Sequence, residues 1–524
     1  MKKICCCLLA FCLASPLFAQ PLEELWRNPG DDARPWVYWY WVFGAVSRES
    51  VTADLEAMKE VGVGGAYLFT IGAVPDKDPY VIPSYDQFSP GWWEMVDYAV
   101  GEAERLGLAL GLPASDGWAL AGGPWITPEL SMQKVVWAQA RAEGGGMIRM
   151  ALPTPDHYGD YYRDIAVYAY PALPGEGLST ETIRPVVTTS QPGTDASFLT
   201  EPGNCKVFRS DSACWIQYAF DASFLCRTVC VTPRYYNYQP QRLTIEASDD
   251  GFRFREVVRL VPPRQGWQRS GATITHAIPP TRARFFRFRW DAAGSEPGVE
   301  DMDAAKWTPL LDICGIRLSS EVRIHQFEAK NGEAWRLGAA TTSSQLVDGV
   351  CLDPERLVDI TDCVDSLGRL VWQASVGDWT ILRMGYTSTG SHTAHSGKGG
   401  SGLECDKFNP DAVRLQFDSW VGEFFRKLGP ERASCIVKMF HVDSWECGSQ
   451  NWSPVFRKEF AARRGYDLVK YLPVMAGIPL HSAELSECVL YDVRRTITEL
   501  TTDNFFGVMQ QQAHAKGCSF SAEC

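Results

Sequence analysis

The body of this sequence lacks any apolar run of about 20 residues, the length a helix needs to cross a bilayer, so no membrane span is expected there. Basic residues are short relative to acidic ones: 50 Lys and Arg stand against 63 Asp and Glu, a formal net charge of −13. That balance argues against a nucleic-acid partner. There is no G-x-x-x-x-G-K-[ST] phosphate loop and no C-x-x-C pair, and Cys226 and Cys230 have no companion His cluster. A P-loop nucleotide site and a structural zinc site are therefore not expected. What remains is ordinary: 524 residues, 45% hydrophobic and 22% charged. Such a composition excludes collagenous and largely disordered classes and, at roughly 150 residues per domain, allows about three domains.

The first residues read as a secretory signal. Lys2 and Lys3 form a charged start, Ile4 to Leu13 an apolar stretch, and Ala19 before Gln20 a cleavage point, so residues 1–19 are expected to be removed on export to the periplasm or medium. No small residue directly precedes Cys12, which favours free release over a lipid anchor. Removal would leave 13 of the 17 Cys and a net charge of −15. An odd number leaves at least one thiol unpaired or bridging to another chain, and mostly buried free Cys with one or two disulfides is the expectation.

From Pro35 onward the texture is that of an α/β protein. Trp36 to Phe43 is β-prone; Ser47 caps a helix with Val51, Leu55 and Met58 on one face, closed by Gly62; Val63 to Phe69 is a buried strand. Pro90-Gly91 opens a second helix that ends at Gly107, before the strand Leu108 to Leu112. This β-α-β-α-β order implies a parallel sheet with helical crossovers. Between about Tyr161 and His325 short β-rich segments take over, among them Leu243 to Ala247, Phe285 to Trp290 and Ile316 to Leu318, and suggest an inserted all-β sandwich. The stretch I-E-A-S-D-D-G-F-R-F, with its Asp250-Gly251 turn, resembles galactose-binding-like sandwiches. After linker strands the helical texture returns: Asn409-Pro410 starts a helix that Gly429-Pro430 stops, Cys435 to Val442 reads as a strand, Cys488 to Lys516 as a long helix, and Cys518 to Ala522 as a last strand. The division expected is 20–160 and 326–524 for the α/β part, with 161–325 inserted.

In parallel α/β barrels the chemistry sits at the carboxyl ends of the strands. The run P-W-V-Y-W-Y-W-V offers aromatic faces, Trp39 and Trp41 among them, that would either stack on sugar or pack in the core. Asp116 and Trp118 follow the third strand, Asp116 being a hydroxyl or cation ligand or a turn residue. The densest cluster is His441-Val442-Asp443-Ser444-Trp445-Glu446, in which alternation carries His441 and Asp443 along one face to the strand mouth. A glutamate beside a tryptophan has the apolar surroundings that raise a carboxyl pKa and suit a proton donor, and glycosidic cleavage needs two carboxyl groups flanking the bond. Glu404, Asp406 and Lys407, after the Gly-rich loop, would line a mouth or merely pair with each other, and Glu523 ends the last strand. Gly397, Gly399 and Gly402 match G-x-G-x-x-G formally, but no strand enters them and the next helix opens only at Pro410, so a flexible loop is expected.

Together the stretches R-P-W-V-Y-W-Y-W, G-G-P-W-I-T-P-E, D-W-T-I-L-R-M-G-Y-T, G-L-E-C-D-K, H-V-D-S-W-E-C-G-S-Q-N-W and R-R-G-Y-D-L-V-K-Y-L-P resemble glycoside hydrolase family 106, the α-L-rhamnosidases. The resemblance implies a (β/α)8-type catalytic barrel with an inserted β-sandwich, inverting cleavage of terminal α-L-rhamnose from plant or bacterial glycans, and calcium in the site. It implies Glu446 as general acid, with Asp443 and Glu523 as site or calcium-side carboxylates; Trp39, Trp41, Asp116, Trp118, His441, Asp443 and Trp445 are the substrate-side candidates. A glutamate beyond residue 524 is expected to be the general base. With its last strand ending at Glu523, the chain reads as the N-terminal portion of a longer enzyme whose barrel is incomplete here. Two other classes stay open: a non-hydrolytic carbohydrate-binding protein that uses the insert, and a retaining glycosidase of another sugar.

Overall fold

The computed structural model describes residues 22–523 apart from 28–29, 31–32, 73–82, 202, 204–205, 236, 238, 264–271, 293–308, 335–339, 345 and 347–348. The expected signal, residues 1–19, lies outside the described residues. Five strands form a wholly parallel sheet: β1 (Trp36–Val42), β2 (Gly65–Ile71), β3 (Ala109–Pro113), β4 (Val437–Val442) and β5 (Ser519–Ala522), paired in that order.

The crossover helices begin where their caps dictate. Helix α1 (Arg48–Glu60) starts at Ser47, whose hydroxyl accepts the Ser50 N–H while Ser50 reciprocates. Helix α2 (Pro90–Leu106) has Ser89 as its cap and ends at left-handed Gly107; α3 (Pro410–Leu428) is capped by Asn409. Each turns one apolar stripe onto the sheet. Val51, Leu55, Met95, Val96, Val413, Phe417 and Trp420 join Trp39, Trp41, Leu68, Leu110, Leu112 and Phe440 in one buried cluster.

Two boundaries differ from the sequence reading. Cys435 belongs to a short helix (Pro430–Ile436), because Pro430 at its first turn restarts the helix rather than ending it, and β4 begins at Val437. The long helix starts earlier, at Ala483 under a Ser482 cap, and is interrupted by a π-helical stretch (Thr501–Phe506) before continuing over Gly507–Ala515.

Between β3 and β4 the chain builds antiparallel sheets. Seven strands from Val186 to Ser319 form one of them, centred on the long pair Cys214–Pro233 and Ile274–Trp290. A second unites Gln133–Glu143, Arg163–Pro171, Val358–Asp359 and Asp378–Ser388. The strand at Arg163, assigned from texture to the insert, thus pairs with residues the sequence reading treated as linker. This second sheet delivers the loop after Ser388 to the carboxyl edge of the parallel sheet, where residues Ala394 and His395 bond the backbone of Trp118 and Gly72.

Candidate active site

In-register pairing puts Tyr38 beside Tyr67 and Tyr40 beside Phe69 on the sheet face opposite α1 and α2. Their rings lie 5.5 and 5.9 Å apart, and Tyr38 stacks on Tyr40 at 5.7 Å. His441 enters this aromatic wall from β4, with its ring 5.0 Å from Tyr67 and 5.7 Å from Tyr38. Burial holds the imidazole below its ordinary pKa, hence neutral. Its nitrogens are both engaged: Nδ1 lies 2.8 Å from the Ser521 hydroxyl and Nε2 3.1 Å from the Tyr38 hydroxyl. Tyr38 spends its own proton on Glu523 Oε1 at 2.9 Å. The consistent assignment is therefore Ser521 O–H donating to Nδ1, Nε2–H donating to Tyr38 Oη, and Tyr38 O–H donating to the Glu523 carboxylate.

Asp443 follows β4 directly, and its Oδ1 accepts the Ser444 N–H at 2.9 Å. Burial, with the charge of Glu523 adding to it, raises the Asp443 carboxyl above the usual range. One ligand atom from each of His441, Asp443 and Glu523 lies within 4.8 Å of the others, a geometry that can hold a metal ion. For the calcium that the family resemblance implies, the oxygen donors fit: Ca²⁺ takes carboxylates and other oxygens, not imidazole. Asp443 and Glu523 are then the ligand candidates, and His441, with both nitrogens hydrogen-bonded, orients Tyr38 and Ser521.

Glu446 lies in the loop beyond Asp443. The Ser444 hydroxyl stands 3.4 Å from both Glu446 Oε1 and Asp443 Oδ1. Burial raises the Glu446 pKa, the direction a proton donor needs. Glu446 also borders a cavity of about 380 Å³, shared with Lys134, Thr389, Ser391, His392 and Asn451. The carboxyl therefore stands where it meets both the metal-competent cluster and an open polar space.

Several sequence candidates are placed otherwise. Trp39 and Trp41 are corrected from sugar-stacking surfaces to core: they are 4% and 2% exposed, and Trp39 Nε1 bonds Asp54 on α1 at 2.9 Å. Tyr38 and Tyr40, on the opposite parity, are the exposed aromatics of β1. Asp116 is likewise corrected: it is 1% exposed, and its two oxygens accept the N–H groups of Gly117 at 2.9 Å and Gly397 at 2.7 Å. Burial pushes its carboxyl up to about 7. Trp445 packs edge-on to Phe505 and donates to the Gly448 carbonyl at 2.7 Å, so it braces the Glu446 loop. Trp118 remains partly exposed, with its ring against His395.

Glu404 and Lys407 form a fully buried ion pair at 2.7 Å, Glu404 also accepting the Leu120 and Ala121 N–H groups. Asp406, pushed up to about 6 by burial, accepts from Ser453, Gln450 and the Phe408 N–H, which ties the Glu446 loop to the segment before α3. These acids anchor the loops that carry the site. No disulfide links the described cysteines. Tyr38 and Tyr40 belong to the aromatic run that the sequence marks out, within which Trp39 and Trp41 are the expected sugar-side pair; nothing in the sequence signals Ser521.

Glycoside hydrolase family 106, described as alpha-L-rhamnosidase, matches residues 27–524. A curated protein of Formosa agariphila named "Putative beta-glucuronidase" is 26% identical over 502 residues, 96% of this chain and 30% of that protein. The structure of a rhamnosidase from Novosphingobium sp. PP1Y is similar with a TM-score of 0.77 at 25% identity, over 96% of this chain and 47% of that one. This chain thus spans less than half the length of either relative. A family match over nearly all of the sequence, with a shared fold, establishes that the chain belongs to glycoside hydrolase family 106, the α-L-rhamnosidases.

Proposed function

We propose that this chain carries the proton-donating side of an exported glycoside hydrolase that removes terminal α-L-rhamnose with inversion. The observation that carries the reading is the place of Glu446: its pKa is raised by burial, and it stands between the Asp443–Glu523 cluster and a polar cavity. Tyr38 and Tyr40 present ring faces for the apolar C–H surface of the sugar. In the reaction the Glu446 carboxyl passes its proton to the glycosidic oxygen as the C–O bond breaks with its electrons going to that oxygen. Calcium, where bound, supplies a positive charge that orients sugar hydroxyls, and Asp443 and Glu523 would hold it. Glu523, tied to Tyr38, belongs to that side. On this reading the parallel sheet belongs to a (β/α)8-type barrel, and the seven-stranded sheet to a galactose-binding-like sandwich.

Turnover of an aryl α-L-rhamnoside by the full-length protein tests the proposal. Glu446→Gln is expected to lower kcat by about 10²–10⁴, and proton NMR should show the β-anomer formed first. Unchanged turnover in Glu446→Gln would overturn the assignment. The name of the Formosa relative favours a second reading, a β-glucuronide substrate, for which an aryl β-D-glucuronide assayed in parallel decides.

A further inference from the structure

The cavity beside Glu446 is closed by segments that meet only in the tertiary structure. Lys134 reaches it from the strand Gln133–Glu143, which is bonded to the Glu446 loop on both sides of that lysine. The Gln133 carbonyl accepts the Asn451 and Trp452 N–H groups at 3.2 Å, and the Val135 N–H donates to Asn451 Oδ1 at 2.8 Å. Thr389 and Ser391 line a second wall, and the Thr389 N–H donates to the Met132 carbonyl at 2.7 Å, which ties this wall to the start of the same strand. Glu333 enters behind Gly332, where φ is +80° and a Cβ would lie 2.4 Å from Ile497 Cδ1 and 3.3 Å from Asn451 Cβ. Only glycine lets the chain turn this close to the loop. Ser449, on the Glu446 loop itself, completes the lining. It is 8% exposed, and its hydroxyl has no hydrogen-bond partner among the described residues.

The cavity measures about 380 Å³, at the low end of the roughly 300–1,000 Å³ of ligand cavities, which suits a single sugar ring rather than a long chain. No Phe, Tyr, Trp, Leu, Ile or Val stands among the described residues that border it, so an aryl or alkyl aglycone finds no apolar face there. The Lys134 ammonium only donates, the Glu333 carboxylate only accepts, and the hydroxyls of Ser391 and Ser449 do both. Such a set matches sugar hydroxyls, each of which also donates and accepts, whereas an anionic ligand would suit Lys134 and be repelled by Glu333. A buried hydroxyl without a partner, as at Ser449, is costly, and a sugar hydroxyl in the cavity relieves that cost.

We infer that this cavity is the leaving-group subsite, that it takes an uncharged sugar unit, and that Lys134, Glu333 and Ser449 select that unit. The substrate is then a rhamnosyl oligosaccharide in which a neutral sugar bears the rhamnose. The inference rests on the acid role of Glu446 proposed above. A general acid stands next to the oxygen that it protonates, and that oxygen departs with the leaving group. Tyr38, Tyr40, Asp443 and Glu523 do not border the cavity. With those four residues given to the rhamnose, the space on which Glu446 opens is the leaving group's.

The test compares kcat/KM of the full-length protein on α-L-rhamnosyl-hexose disaccharides of every linkage with that on methyl α-L-rhamnoside, whose leaving group is also an alcohol but carries no ring. At least one disaccharide is expected to exceed the methyl glycoside tenfold or more, and its counterpart ending in a hexuronic acid should react more slowly than the neutral sugar. Ser449→Ala and Lys134→Met should each lower kcat/KM for that disaccharide about tenfold more than for the methyl glycoside, a bias that loss of fold or of the acid does not produce. Equal kcat/KM for the disaccharides and the methyl glycoside, or equal losses on both in the two variants, overturns the subsite and leaves the functional reading standing. Faster reaction of the uronic acid counterpart overturns the assignment of a neutral sugar. If no rhamnoside is hydrolysed, aryl rhamnosides included, the functional reading fails and the subsite falls with it.

Discussion

The Tyr38 hydroxyl, on the first strand of the parallel sheet, donates to the carboxylate of Glu523, just past the last, at 2.9 Å. It thereby also accepts from His441. Tyr38→Phe removes the shared oxygen and leaves two polar groups to find other partners. The expected outcome is a loss of about 1 kcal/mol of stability, read from thermal or urea unfolding, together with weaker binding of divalent cations.

The two faces of β1 separate stability from recognition. Trp41→Phe should cost about 1–3 kcal/mol with KM unchanged. Tyr40→Ala should leave the melt nearly unchanged and raise KM roughly 3- to 10-fold, the equivalent of about 0.5–1.5 kcal/mol for one aromatic contact. The opposite pattern would return Trp41 to the sugar.

If Asp443 and Glu523 hold a cation, calcium should raise the melting temperature of the wild type, with a gain of about 2.7 kcal/mol at a hundred times Kd. A chelator should reverse the gain. The double variant Asp443→Asn/Glu523→Gln should melt at the same temperature with and without calcium.

Asp116 predicts a pH dependence of known sign. Its carboxyl titrates at about 7 when folded and near the ordinary carboxylate value of about 4 when unfolded, so the native state holds this proton more tightly. Stability from this group is therefore full below about pH 4 and is lost as pH rises towards 7. Urea unfolding of Asp116→Asn across that window should show a flatter pH profile than the wild type, whatever the absolute cost of the substitution.

Lys407 and Glu404 are both buried, so removing one charge strands the other. Lys407→Met should destabilise the chain by about 3–5 kcal/mol. Replacing both with apolar residues of similar volume should cost less than the single change, a comparison that chemical unfolding can make.

Local signals carried the α/β order, the caps at Ser47, Ser89 and Asn409, and the cluster His441 to Glu446, because each is written within a few residues of its consequence. The family was legible for the same reason: its motifs are short and lie in order along the chain. The parity of β1 was not legible, since Tyr38 and Tyr40 face one side and Trp39 and Trp41 the other, and aromatic residues on both faces erase the alternation that marks a buried side. The fate of Asp116 was equally silent: an Asp before a Gly reads as a surface turn until a segment some 280 residues later closes over it.

By itself the sequence determined which segments become helices and strands, and which carboxylates stand at the end of a strand. Tertiary structure decided which of them meet. Tyr38 reaches Glu523 across 485 residues, and Gly397 meets Asp116 through a loop delivered by a different sheet. Such pairings depend on strand order and on which loops cross, and no local spacing encodes either.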